Sequence, residues 1–220
     1  MTDELFSFLD SLSRNNNREW FAAEKPRYEA LRARWTAELQ QMIDALAEYD
    51  PTLAHVEART CLYRIYRDIR FSKDKSPFKT YFSALVSPRG RHTDRGAYYV
   101  HVGADECGLY GGVWNPPSPM LKKLRKAIVD NIEEFEQIIS EPRLQKLFPG
   151  WYGSALKTVP KGYDRNHPQA ALLRLTEYGR FHECGRSFFL DPSWPLRAAE
   201  IMSALTPLIN FLNYSIDEEV

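Results

Sequence analysis

Apolar positions along the chain change period twice, dividing it into a helical start, an alternating middle and a helical end. Leu5, Phe8, Leu9 and Leu12 recur every three or four residues and predict a short amphipathic helix. Asn15-Asn16-Asn17 stops it, and Asn16 followed three residues later by Glu19 has the form of a capping box for a second helix. Lys25-Pro26 predicts a break, because proline disfavours helix in the residue before it yet suits the first turn after it. From there Tyr28, Leu31, Trp35, Leu39, Met42, Leu46 and Tyr49 carry the strongest helical repeat in the chain. That helix should end near Asp50-Pro51.

The period then falls to two. Cys61 to Phe71 reads as a strand with Cys61, Tyr63, Ile65, Ile69 and Phe71 on one face, Arg67 intruding, and Leu62, Arg64, Tyr66, Asp68 and Arg70 on the other. Tyr81 to Val86, Ala97 to Val102 and Cys107 to Trp114 predict further strands in an antiparallel meander. Helical patterns return at Met120 to Asp130, Ile132 to Ile139 and Leu144 to Phe148, with a short helix around Leu172. Tyr178 to Phe189 predicts a strand that rejoins the sheet, and Trp194 to Asn213 a last helix bent at Pro207. A mid-chain antiparallel sheet flanked by N-terminal and C-terminal helices is an α+β fold, expected as one domain over residues 1–220.

Composition narrows the class. With 44% hydrophobic residues the 220-residue chain can bury a sizeable core. The start is acidic rather than basic, and no apolar run nears the roughly 18 residues that span a bilayer. Three cysteines without a CxxC pair fit a reducing compartment, so a soluble cytoplasmic protein is expected, with no membrane partner.

Charge redirects attention to the middle. Net charge is zero overall, yet residues 59–95 hold ten Lys or Arg against three acids. Such asymmetry bears on partners rather than fold. Arg64, Asp68 and Arg70 share the charged face of the expected strand, where two guanidiniums flanking a carboxylate make either a fork for phosphate or a structural ion network. Asp68 between cations should be acidic, an orienter rather than a proton donor. Lys73 and Lys75, in a Ser-Lys-Asp-Lys-Ser-Pro loop, offer the makings of a phosphate nest, with Lys79 beyond them. His101 would share a strand face with Tyr99. Gly111-Gly112 precedes Trp114 and Asn115, which either stack on and bind a ligand or form a bulge with Trp114 plugging the core. Arg18 opens a helix whose positive end can face the same anion. No HExxH or HxH arrangement supports a metal site, and neither a P-loop nor a GxSxG elbow is present.

Five segments together resemble one family: Asn15 to Phe21, Arg64 to Thr80, Gly111 to Trp114, Pro160-Lys161-Gly162-Tyr163 and Asn210-Phe211-Leu212-Asn213. They are similar to the conserved hypothetical proteins of bacteria and fungi grouped as the domain of unknown function 2461. The resemblance spans almost the whole chain and implies a single domain. It brings no activity, cofactor or catalytic residue with it. Phe78 stands where many relatives are expected to carry Tyr.

Three functions are consistent with these residues. The first is a cationic pocket for an anionic, phosphorylated small ligand, with Arg64, Arg70 and Lys79 on the anion, Lys73 and Lys75 closing over it, and a phosphate ester as the bond to test if there is turnover. The second is a single-stranded nucleic-acid module using the basic, aromatic segment 64–82. The third is a protein-interaction domain in which Arg64 supports a buried Asp68.

Overall fold

The spacing of Leu5, Phe8, Leu9 and Leu12 produces α1 (Asp3–Arg14), which buries all four together with Phe6. In the computed structural model, which describes residues 3–218, α2 (Arg18–Ala23), α3 (Lys25–Leu46), a 3-10 turn at Pro51–Leu53 and α4 (Ala58–Cys61) come after it. Three strands come next: β1 (Tyr81–Val86), β2 (Ala97–Gly103) and β3 (Cys107–Val113). Helices α5 (Ser118–Asp130), α6 (Ile132–Ile139), α7 (Pro142–Leu147) and α8 (Ala170–Arg174) lead to β4 (Tyr178–Glu183). The described chain finishes with α9 (Arg186–Leu190), α10 (Trp194–Ser203) and α11 (Thr206–Asp217). The strands form one antiparallel sheet in the order β1-β2-β3-β4, so the fold is α+β as the change of period predicts. No helix among the described residues is long and apolar enough to cross a membrane.

Two compact units can be distinguished. The first runs to His92 and adds Tyr99–Leu109 and Glu183–Ser203; the second holds Thr93–Tyr98, Tyr110–His182 and the chain from Ala204 onward. In the first, α3 turns Leu31, Trp35, Leu39, Met42, Ile43 and Leu46 inward. Trp35 stacks on Trp194 of α10 with ring centroids 5.6 Å apart, and the Trp194 indole N–H donates to Glu38 Oε2 at 2.9 Å. In the second, Phe135 of α6 meets Phe211 of α11 at 5.0 Å and stacks on Trp151. Asn213 of α11 clamps one residue's backbone from both sides, accepting from the Gly96 N–H at 2.8 Å and donating to the Gly96 carbonyl at 3.1 Å.

Three expectations are corrected. The strand from Cys61 to Phe71 does not form: residues 58–61 coil into α4, and only two isolated antiparallel bridges, Leu62 to Ala84 and Tyr66 to Phe78, hold the arm beyond it. The turn of helix breaks the alternation, leaving Cys61 and Leu62 both buried and Tyr63 and Arg64 both exposed. Phe71, expected on the buried face, is 95% exposed. Second, β4 stops at Glu183 and the chain turns at Gly185 into α9, rather than continuing as a strand to Phe189. Third, the last helix is broken rather than bent. α10 ends at Ser203 and Pro207 enters the first turn of α11, because its ring nitrogen cannot donate to the preceding turn.

Candidate functional site

The Asn run is put to a use that spacing does not reveal. Asn17, not Asn16, caps α2, its side chain accepting from the Trp20 N–H at 2.9 Å. Asn16 reaches across 62 residues instead, donating to the Phe78 carbonyl at 2.9 Å and accepting from the Phe78 N–H at 3.1 Å. Phe78 is buried and stacks on Phe21 of α2 at 4.0 Å, which ties the start of α2 to the arm that precedes β1. Tyr66, bridged to Phe78, lays a half-exposed ring beside both.

A cleft of about 340 Å³ lies along this seam. Its floor is Phe21, Tyr66, Phe78, Ala22, Ile69 and Pro77, and its charged lining is Arg18, Lys25 and Arg67, with no carboxylate. Arg67 is oriented from outside the lining by Asp74, which pairs with it, and by the Ser72 hydroxyl at 3.4 Å. Lys25 is loosely paired with Glu29 at 3.8 Å. The wall depends on the Asn16 clamp, so Asn16→Ala should lose about 1–2 kcal/mol by urea titration, since two buried backbone groups lose their partner. A loss under about 0.3 kcal/mol would mean that solvent replaces the amide freely.

Of the residues named singly as ligand-binding candidates, only Arg18 lines this cleft, although Tyr66, Arg67, Ile69, Pro77 and Phe78 belong to the 64–82 segment. Asp68 and Arg70 engage each other: Nε donates to Oδ1 at 3.0 Å and Nη2 to Oδ2 at 2.7 Å. Both are exposed, so the buried carboxylate expected to rest on Arg64 is absent. The Arg70 hydrogen bonds, with a smaller contribution from the charge of Arg64, lower the Asp68 carboxyl to about 2. Lys75 donates to the Ile69 carbonyl at 3.1 Å, and Asp74 accepts from the Ser76 N–H and hydroxyl at 2.9 and 2.7 Å. The 72–77 loop is thus closed on itself, with Lys73 exposed on it.

Lys79 and His101 lie elsewhere in the same unit, each against the Tyr81 ring. Lys79 Nζ lies 5.1 Å from the Tyr63 ring centroid and 5.6 Å from that of Tyr81. His101 packs on Tyr81 at 4.3 Å, with Nδ1 3.2 Å from the Tyr99 hydroxyl. Burial pushes the Lys79 amine down, with Arg64 adding to the effect, and burial also lowers His101. Burial pushes Tyr99 up to about 12.

Tyr178, in the second unit, is also raised by burial. Proton release sets the sign for stability. An unfolded chain releases tyrosine protons near pH 10, whereas the native state holds them, so this stabilisation is complete below about pH 10 and lost as pH climbs toward 12. We expect the denaturant midpoint to fall over that window, with tyrosinate absorbance rising together with unfolding. Tyrosinate appearing in full at pH 10 in the folded protein would contradict this.

Trp114 and Asn115 belong to the second unit. Trp114 is 63% exposed and stacks on Tyr152 at 5.8 Å, so it does not plug the core. Asn115 has φ +42°, and its N–H donates to the buried carboxylate of Glu177 at 3.3 Å. All three cysteines are buried and raised by burial, Cys184 to about 12, so none is poised as a thiolate. Among the described residues, no three His, Cys, Asp or Glu converge as metal ligands.

Nothing in the sequence marks Phe21 or Lys25 as lining residues, and Tyr66 and Arg67 are marked only as part of the 64–82 segment. One signal was present: Arg67 was the single cation on a face otherwise apolar. No curated protein and no solved structure is similar enough to match the chain. A family model does match, over residues 4–211 of 220, and by that extent the chain belongs to the family described as conserved hypothetical protein (DUF2461).

Proposed function

We propose that the cleft between α2 and the arm preceding β1 binds a small anionic, phosphorylated ligand in the cytoplasm. The observation that carries this reading is the lining, in which Arg18, Lys25 and Arg67 stand over an aromatic floor with no carboxylate among them. Its volume of about 340 Å³ suits one small molecule. Arg18 and Arg67 bring planar donors matched to phosphate oxygens, and the rings beneath accept a flat or apolar remainder. Should turnover accompany binding, these cations would act on charge developing at a phosphate ester.

The test is a thermal-shift screen of nucleotides, sugar phosphates and short oligonucleotides on wild type and on an Arg18→Ser, Lys25→Ser double variant. A ligand at a hundredfold excess over its Kd should stabilise by about 2.7 kcal/mol, or about 5 to 10 °C, and the variant should lose most of it. Equal shifts in both proteins would place the anion elsewhere.

A second reading draws support from Phe71. Its ring is 95% exposed with the Arg70 guanidinium 5.8 Å from the centroid, a platform for a base of single-stranded nucleic acid. Oligonucleotide binding that falls steeply with salt and is lost in Phe71→Ala, with the double variant unaffected, would select it.

A further inference from the structure

The three rings under the cleft are not equally free. Phe21 and Phe78 are both buried and stack on each other at 4.0 Å, which leaves little of either for a ligand. Tyr66 meets Phe21 edge-on at 5.9 Å and Phe78 at 5.3 Å with the planes 54° apart, yet it stays 51% exposed. Its neighbours therefore hold the ring in place and leave part of it open to stacking. The cations are unequal too. Arg67 is held by Asp74 and Ser72, Lys25 has Glu29 at 3.8 Å, and Arg18 has neither an ion pair nor a side-chain hydrogen bond among the described residues. They come from the arm, α3 and α2, and no carboxylate joins them in the lining.

We propose that the cleft takes a nucleoside diphosphate in its magnesium-free form, with the base stacked on Tyr66 and the diphosphate held by Arg18, Lys25 and Arg67. This rests on the phosphate reading above and narrows it. Cations from three separate elements match an anion of more than one phosphoryl group, and nucleotides are the class that joins such an anion to a flat ring. Magnesium on a diphosphate is usually seated by one or two protein carboxylates, which this lining lacks. The ion also cancels most of the charge that draws the diphosphate to the cations. Magnesium should therefore compete with the cleft for the nucleotide, the reverse of its part at sites that grip the ion through carboxylates.

Calorimetric titration of ADP and of pyrophosphate into the full chain tests both halves. With EDTA present, ADP should bind about tenfold tighter than pyrophosphate, the advantage of one stacked base. Tyr66→Leu should remove that advantage and leave pyrophosphate binding unchanged, which also verifies that the variant folds. Excess magnesium should weaken ADP binding to wild type by about tenfold or more. The proposal is overturned if wild type binds ADP no tighter than pyrophosphate, if Tyr66→Leu keeps the preference, or if magnesium leaves ADP binding unchanged or strengthens it. The broader phosphate reading survives any of these results as long as some phosphate compound binds wild type and is lost in the Arg18→Ser, Lys25→Ser variant, so the two fail separately.

Discussion

Gly112→Ala should unfold the protein more effectively than almost any surface change. Gly112 has φ +127°, and a Cβ there would lie 2.0 Å from the Tyr178 carbonyl oxygen and 2.8 Å from Gly179 Cα. Both obstacles are backbone of β4, so no rotamer change relieves them. Strain at such a φ costs about 1–3 kcal/mol and forced overpacking about as much again, giving an expected loss of about 4 kcal/mol. For a chain of this size that is about 10 °C in Tm. Gly179→Ala is the matched control across the same pair of strands: its Cβ would meet nothing closer than the Gly111 carbonyl at 3.9 Å, and the loss should stay within about 1 kcal/mol. Similar losses in the two variants would show that glycine flexibility, not close approach, governs this end of the sheet.

Trp194→Ala is the second large effect. The indole is fully buried, stacked on Trp35 and 5.2 Å from Phe189, and its N–H serves Glu38. Truncating such a side chain costs about 3–5 kcal/mol through lost burial and the remaining cavity. Trp194→Phe separates packing from hydrogen bonding. It keeps an aromatic ring against Trp35, while Glu38 retains Arg34, whose Nε donates at 2.9 Å. We therefore expect Phe to recover more than half of the loss in denaturant midpoint. A Phe variant as unstable as Ala would assign the cost to the donor that the Glu38 carboxylate loses.

The elements legible in the sequence are those whose burial keeps one period. α3 holds Leu31, Trp35, Leu39, Met42 and Leu46 on one stripe, and β1 to β3 fall within a residue or two of the expected bounds. In the arm from Leu62 to Thr80 charged and apolar residues alternate as in a strand, yet two isolated bridges and the Asn16 clamp hold it. Its conformation is set by distant partners, and distant partners leave no periodicity. The cleft is the extreme case. It exists because Asn16 holds the Phe78 backbone, a contact that any of three consecutive asparagines had equal title to make. Arg18 was found because it comes just after that run, whereas Lys25 and Tyr66 became lining residues only once the seam had closed.

Asn16 and Asn213 hold Phe78 and Gly96 in the same way, one amide side chain meeting both the N–H and the carbonyl of a single residue. Only a group that donates and accepts within one plane can do this, and hydrolysis of the amide removes the donor. The carboxylate left behind would still take the N–H but would point a negative oxygen at the carbonyl it once served. Spontaneous deamidation, slow and invisible in a fresh preparation, would therefore act on this protein as a pair of timed substitutions, loosening one unit at Asn16 and the other at Asn213.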